Sequence, residues 1–163
     1  MSSTVKSGRP KPRGLMRIGL RIPIFLYRIK LGWLLGKRAL LLTHTGRKSG
    51  LARQAVIEVI DHDAAGDTYF ISSGWGEKSD WYRNIQKNAQ VTVQVGNRRW
   101  PAQAVRLPDE AAASHFAVYA QKHPRAFREL TKITVGEDFS DMNAACRRVA
   151  ASLPLLALRH TKR

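Results

Sequence analysis

Five short blocks rich in Val, Ile, Leu, Thr and Tyr follow one another through the middle of the chain, at residues 38–45, 53–61, 68–73, 91–95 and 98–107. Turn-forming residues bound each block, a pattern that predicts β-strands. Gly96-Asn97 joins the last two as a tight hairpin. Between the third and fourth, Ser79-Asp80 is placed to cap a short helix in which Trp81, Tyr82 and Ile85 recur at helical spacing, ending near Lys87. Downstream, Asp109-Glu110 opens an alanine-rich helix to about residue 122, Pro124 suits the first turn of a second, and Ser140 is placed to cap a third through Cys146 and Val149. Residues 153–158 read as a closing apolar strand. Upstream, residues 15–35 are helix-like, with Pro23 bending or dividing the segment. Residues 1–13 carry Ser, Gly, Pro and Lys without an apolar period and are expected to form a disordered tail. One block of strands, with helices at the ends and in a late insertion, predicts an α+β fold built on a small antiparallel barrel, a single domain over residues 14–163.

Composition changes that picture mainly through charge. At 163 residues and 44% hydrophobic, the chain can bury a sufficient core without staples. Its one cysteine, Cys146, excludes an internal disulfide and permits a reducing, cytoplasmic setting. The histidines are scattered, neither HExxH nor CxxC occurs, and the Gly-x-Ser-x-Gly elbow of many hydrolases is missing, so no metal site is expected. The net charge is +16, and every acidic residue lies at or beyond Glu58. Ten of those charges come from basic residues before Ala39, interleaved with Leu15, Ile18, Ile22, Phe25, Trp33 and other apolar side chains. An arm of this kind, residues 6–38, is expected to seek an anionic membrane surface, placing the protein peripherally at the inner face of the cell membrane. Arg17, Arg21, Arg28 and Lys30 interrupt every window approaching the roughly 20 apolar residues of a membrane span. A nucleic-acid-binding role, raised by pI ≈ 10.9, is disfavoured because the remainder is only modestly basic and its aromatics form no RNA-binding signature.

The densest chemistry lies between the first two strands, in Gly46-Arg47-Lys48-Ser49-Gly50-Leu51-Ala52-Arg53. Glycines let a backbone turn with φ > 0 and bring N–H groups close to a ligand, while Arg, Lys and Ser neutralise and hydrogen-bond a phosphate. The segment is not a Walker A loop. Arg47 separates Gly46 from Lys48, and the following Gln54-Ala55-Val56-Ile57-Glu58-Val59-Ile60 is strand-forming, not helical.

The run Leu40-Leu41-Leu42-Thr43-His44-Thr45 leading into that loop, the strand end Ser72-Ser73-Gly74, and Trp81-Tyr82-Arg83-Asn84-Ile85-Gln86-Lys87-Asn88 occur in an order that resembles the deazaflavin-dependent nitroreductase family of split β-barrel oxidoreductases. The resemblance covers roughly residues 38–107. It implies binding of coenzyme F420, a deazaflavin carrying a phosphate and a polyglutamate tail, and hydride transfer to a small-molecule, electron-poor acceptor such as a quinone or nitro compound. It further implies that Arg47, Lys48, Ser49 and Arg53 hold the phosphate end, that Val56 and Ile57 line one side of the flat ring, that Ser72, Ser73 and Gly74 reach its edge, and that Trp81 closes the pocket. Ser73 and Tyr82 are the candidate donors to the reduced acceptor. Alternatives are a carrier that binds F420 or FMN with little turnover, or a member that has exchanged F420 for FMN.

Several positions depart from the family pattern. Gly74 stands where a lysine often follows the serine, Ala89 follows Asn88 in place of a proline, and Glu58 occupies a strand position that some members fill with an aromatic residue; here a solvent-facing carboxylate is expected. The tyrosine-rich substrate region is not recognisable around Tyr119, His123, Phe127 and Arg128. The oligomeric state stays open, because a long N-terminal helix would cover the interface that split barrels commonly use.

Overall fold

A computed structural model describes residues 36–136 and 140–161. The expected tail, the helix-like segment at residues 15–35 and the membrane-seeking arm lie outside the described residues, apart from the last three residues of that arm.

Six strands form a closed antiparallel barrel: β1 (Ala39–Thr45), β2 (Ala52–Asp63), β3 (Thr68–Ser72), β4 (Gln90–Val95), β5 (Arg98–Arg106) and β6 (Leu155–His160), in the spatial order β1-β2-β3-β6-β5-β4. A single 3-10 turn (Gly76–Lys78) and the helix α1 (Asp80–Lys87) lie between β3 and β4; α2 (Asp109–Lys122), α3 (Pro124–Thr134) and α4 (Met142–Ser152) are inserted between β5 and β6. Alternation along a strand decides which side chains face inward. Leu40 and Leu42 of β1 pair in register with Ile57 and Ala55 of β2, and with Val91, Val93, Trp100, Leu156 and Leu158 they fill the barrel interior. Tyr82 and Ile85 carry α1 onto that same core.

A bulge and a doubly buried strand let the sheet serve a second layer. The β2–β3 register shifts between Val59 and Asp61, a bulge that puts two consecutive residues on the helical side: Ile60 packs in the helical layer and Asp61 meets His115 of α2 at 2.9 Å. In β6 both faces are covered: Leu156 and Leu158 point inward, while Leu155 and Ala157 join Phe70, Phe116, Phe127, Cys146 and Val149 in the helical layer. Burial on both sides is why this strand reads as a continuous apolar run.

The boundaries differ from the expected ones for identifiable reasons. Asp141, not Ser140, caps α4, its carboxylate accepting the Asn143 N–H at 2.9 Å. Ser79 occupies the cap position of α1, but its hydroxyl turns to the Gly76 carbonyl and to Ser73 and leaves the helix N–H groups uncapped. The closing strand starts two residues late, at Leu155, because Leu153 still ends α4 and Pro154 follows. Glu58 is half-exposed as expected of a strand carboxylate, yet it also accepts the Tyr119 hydroxyl of α2 at 2.9 Å and pairs with Arg38 at 3.7 Å. Among the described residues no helix is long and apolar enough to cross a membrane.

Candidate cofactor site

Residues 46–51 join β1 to β2, and their glycines are required by geometry. The Gly46 N–H donates to the Leu51 carbonyl and the Gly50 N–H to the Gly46 carbonyl, each at 2.8 Å. Gly50 has φ +68°, a left-handed conformation that side chains disfavour. A Cβ on Gly46 would lie 2.8 Å from Ser49 Oγ and 3.3 Å from the Leu51 carbonyl oxygen, so any other residue there makes the Ser49 hydroxyl turn away and the Leu51 carbonyl give by a few tenths of an ångström. The Ser49 hydroxyl oxygen accepts the Leu51 N–H at 3.3 Å and helps fix the tip.

Arg47 points its chemistry at α1. Its backbone N–H and its guanidinium Nη1 both donate to Asn84 Oδ1, at 3.1 and 2.9 Å. Nη1 also reaches the Asp80 carbonyl at 3.4 Å, and Nη2 pairs with the Asp80 carboxylate at 3.1 Å. Lys87 Nζ donates to the Arg47 carbonyl at 3.1 Å. Asn84 is buried, and its amide nitrogen meets His44 Nδ1 at 3.2 Å. With the Asn84 oxygen committed to Arg47, the nitrogen must donate, and His44 must accept in its neutral form with the proton on Nε2. Burial drives the His44 pKa down to about 4; Arg53 adds to the shift and a hydrogen bond with the Thr45 backbone opposes it. The neutral imidazole that the hydrogen bond demands is therefore the one burial favours.

Lys48 and Ser49 are exposed, and their backbone N–H groups make no hydrogen bond with another described residue. The side-chain charges of Lys48 and Arg53 have no ion-pair partner among the described residues.

The other expected site residues separate into different environments. Ile57 lies in the barrel core while Val56 is half-exposed, because strand neighbours face opposite sides; the two side chains do not line one surface, and that expectation is corrected. The Ser72 hydroxyl donates to the Pro154 carbonyl at 3.1 Å. Ser73 is 0% exposed, with its hydroxyl on the Gly76 carbonyl at 2.7 Å and on Ser79 Oγ at 2.6 Å, so it builds the turn and is not a donor to an acceptor. Gly74 has open space where a Cβ would be. Trp81 is half-buried against the barrel core, edge-on to Tyr82 at 6.1 Å. The buried Tyr82 hydroxyl receives Arg106 Nη1 at 3.3 Å, and the same nitrogen pairs with Glu77 at 2.9 Å. Burial raises the Tyr82 pKa above its ordinary value, with Arg106 opposing and Glu77 adding to the shift, and keeps the proton on oxygen. Asn84, His44, Asp80 and Lys87 are the site residues that sequence reasoning missed; Asn84 stood in the quoted motif, but its two partners lie 37 and 40 positions away.

A family model described as F420H(2)-dependent quinone reductase matches residues 28–136. The chain belongs to that family. It is accordingly an F420-dependent reductase with the closed barrel of the split-barrel enzymes. Among solved structures it is similar to an F420-H2 dependent reductase, FDR-A, at 20% identity and TM-score 0.54 over 76% of this chain and 95% of the other. A domain-swapped dimer is similar at 20% identity and TM-score 0.53 over 84% and 99% of the two chains. A protein from Clostridium acetobutylicum related to a general stress protein, of the pyridoxinephosphate oxidase family, matches at 10% identity and TM-score 0.50 over 85% and 84%. At these identities the likenesses establish the fold. No curated protein matches the sequence. The loop fits the phosphate of coenzyme F420, since among the described residues Lys48 and Arg53 have no ion-pair partner and the Lys48 and Ser49 N–H groups no acceptor, on a glycine-bearing turn and the strand that follows it.

Proposed function

We propose that this protein uses reduced F420 to transfer a hydride to a hydrophobic, electron-poor small molecule, a quinone or a nitro compound. The observation that carries the reading is the loop at residues 46–51 with Arg53 on the strand after it: among the described residues Lys48 and Arg53 have no ion-pair partner and the Lys48 and Ser49 N–H groups no acceptor, all on the family's matched segment. Lys48, Arg53 and the N–H groups of Lys48 and Ser49 would hold the phosphate, and Val56 and Trp81 would bound the ring. The reduced deazaflavin supplies the hydride when bound. The protein's part is to orient the two partners, exclude water and stabilise negative charge on the acceptor oxygen. Tyr82 is the donor proposed for that charge, because its proton is held on oxygen by burial and its hydroxyl is positioned by Arg106. The basic, apolar arm at residues 6–38 would bring the enzyme to lipid-dissolved quinones at an anionic surface. Liposome flotation of full-length and arm-deleted protein tests that part, and both remaining in solution would remove it.

Fluorescence titration with oxidised F420, run beside FMN, tests the cofactor assignment. A charge-assisted hydrogen bond contributes about 1.5–3 kcal/mol, so Lys48→Ala and Arg53→Ala should each weaken F420 binding by about tenfold or more. Steady-state assays with quinone and nitro acceptors then assign the substrate. Folded protein that binds FMN and not F420 would refute the proposal.

A further inference from the structure

The segment from Gly46 to Arg53 holds three cations, and among the described residues Lys48 and Arg53 have no ion-pair partner while Arg47 has one. Arg47 has its N–H, its carbonyl, Nη1 and Nη2 all engaged, by Asn84, Lys87 and Asp80. The guanidinium charge is matched by the Asp80 carboxylate. Asn84 binds on both sides, with its oxygen on the loop through Arg47 and its nitrogen on β1 through His44. These contacts tie the hairpin to α1 on the side of Arg47, while the N–H groups of the next two residues meet no acceptor among the described residues.

We infer that Asn84 is a positioning residue and Arg47 a structural tie, which together hold the loop in its phosphate-receiving shape before any cofactor arrives; direct contact falls to Lys48, Arg53 and the free N–H groups. The inference rests on the F420 reading and deepens it. It divides the cationic motif into two kinds of arginine that composition cannot distinguish. An ordered loop has no conformational freedom to surrender on binding, so affinity for the phosphate-bearing cofactor depends on a side chain that never touches it. The dependence is confined to the phosphate end. The tie does not act on the ring, so a deazaflavin chromophore without the phosphate-bearing tail should not register its loss.

The test is a double-mutant cycle on the full chain, using Arg47→Ala, Asn84→Ala and the double variant, with Asp80→Asn as a surface change that weakens the tie without emptying a buried site. Hydrogen exchange of residues 46–51 in cofactor-free protein is read beside binding of F420 and of the tail-less chromophore. We expect faster exchange in every variant, F420 binding weakened about tenfold by either single alanine change and no further by the double, and unchanged binding of the chromophore. Lys48→Ala should add its full effect to either single variant while leaving exchange at the wild-type rate. Additive losses for Arg47→Ala and Asn84→Ala, or a loss in Arg47→Ala with wild-type loop protection, would overturn the inference by making Arg47 a direct ligand. Should the wild-type protein bind no F420 while the variants still loosen the loop, the cofactor reading fails and the tie stands. If Asn84→Ala proves unstable, Asp80→Asn carries the decision: faster loop exchange with weaker F420 binding supports the tie, and wild-type values in both refute it.

Discussion

Acid should weaken this fold through one buried side chain. His44 accepts a hydrogen bond from Asn84 at Nδ1, so a proton there would set two donors against each other beside Arg53. Its pKa lies at about 4 in the folded chain against an ordinary 6.5. The unfolded chain therefore binds more protons between those values, and stability falls as pH falls. The contribution is complete above pH 6.5, declines through the window and is exhausted below about 4. At about 1.4 kcal/mol per pH unit the whole shift corresponds to about 3 kcal/mol, of which about 2 is lost by pH 5. Urea unfolding at pH 7, 6 and 5, performed on wild type and on His44→Gln, measures it. The glutamine amide offers an acceptor and does not titrate, so its stability should change less with pH, by about 2 kcal/mol between pH 7 and 5. Equal pH dependence in the two proteins would refute the neutral, hydrogen-bonded His44 and with it the assigned orientation of Asn84. Asp61 and Asp67, whose pKa values are both lowered, lose their contributions on further acidification and are common to both proteins.

Other substitutions separate local geometry from chemistry. Gly50→Ala places a Cβ at φ +68° with open space around it, so it should cost about 1–2 kcal/mol of strain in denaturant unfolding, whereas Gly46→Ala should turn the Ser49 hydroxyl off the Leu51 N–H, shift the loop tip and weaken F420 binding in the titration. Tyr82→Phe should lower turnover by about tenfold to a hundredfold while leaving the F420 dissociation constant unchanged, a kinetic pattern expected of a positioned proton donor. Ser73→Ala should instead lower stability by about 1–3 kcal/mol, seen by urea unfolding, with turnover preserved in the folded fraction. Phe116→Ala, at the centre of the helical layer, should cost about 3–5 kcal/mol and lower the melting temperature without changing cofactor affinity in the protein that remains folded.

The barrel was legible in the sequence because its strands announce themselves locally, through β-branched residues, the Gly96-Asn97 turn and the short amphipathic α1. The late helices were legible for a similar reason. What escaped was whatever depends on pairing across the chain. The partners of Asn84 are forty residues upstream or nearly so, and neither glycine spacing nor charge reveals that one arginine of the loop is engaged and the other free. The bulge before Asp61 has no signature in composition, yet it puts Asp61 on the same side as Ile60, against His115 of α2. Ser73 was read as a donor because a serine at a strand end is chemically competent; its neighbours Gly76 and Ser79 had already claimed the hydroxyl. The opposed faces of Val56 and Ile57 follow from strand alternation alone, and assigning them to one surface overlooked it.

The ladders around the barrel are unequal. β1 shares seven register pairs with β2 and only three with β4. A cylinder whose staves are fastened so unevenly has a seam, and its lightest stitching runs through Leu41, Leu42 and Thr43. Every strand has a neighbour on each side, but β3 reaches β2 only from Val59 onward, so among the described residues 52–58 of β2 are paired on the β1 side alone. A strand that changed owner between two copies would first have to undo a ladder, and the three pairs of this seam are fewer than in any other ladder of the barrel.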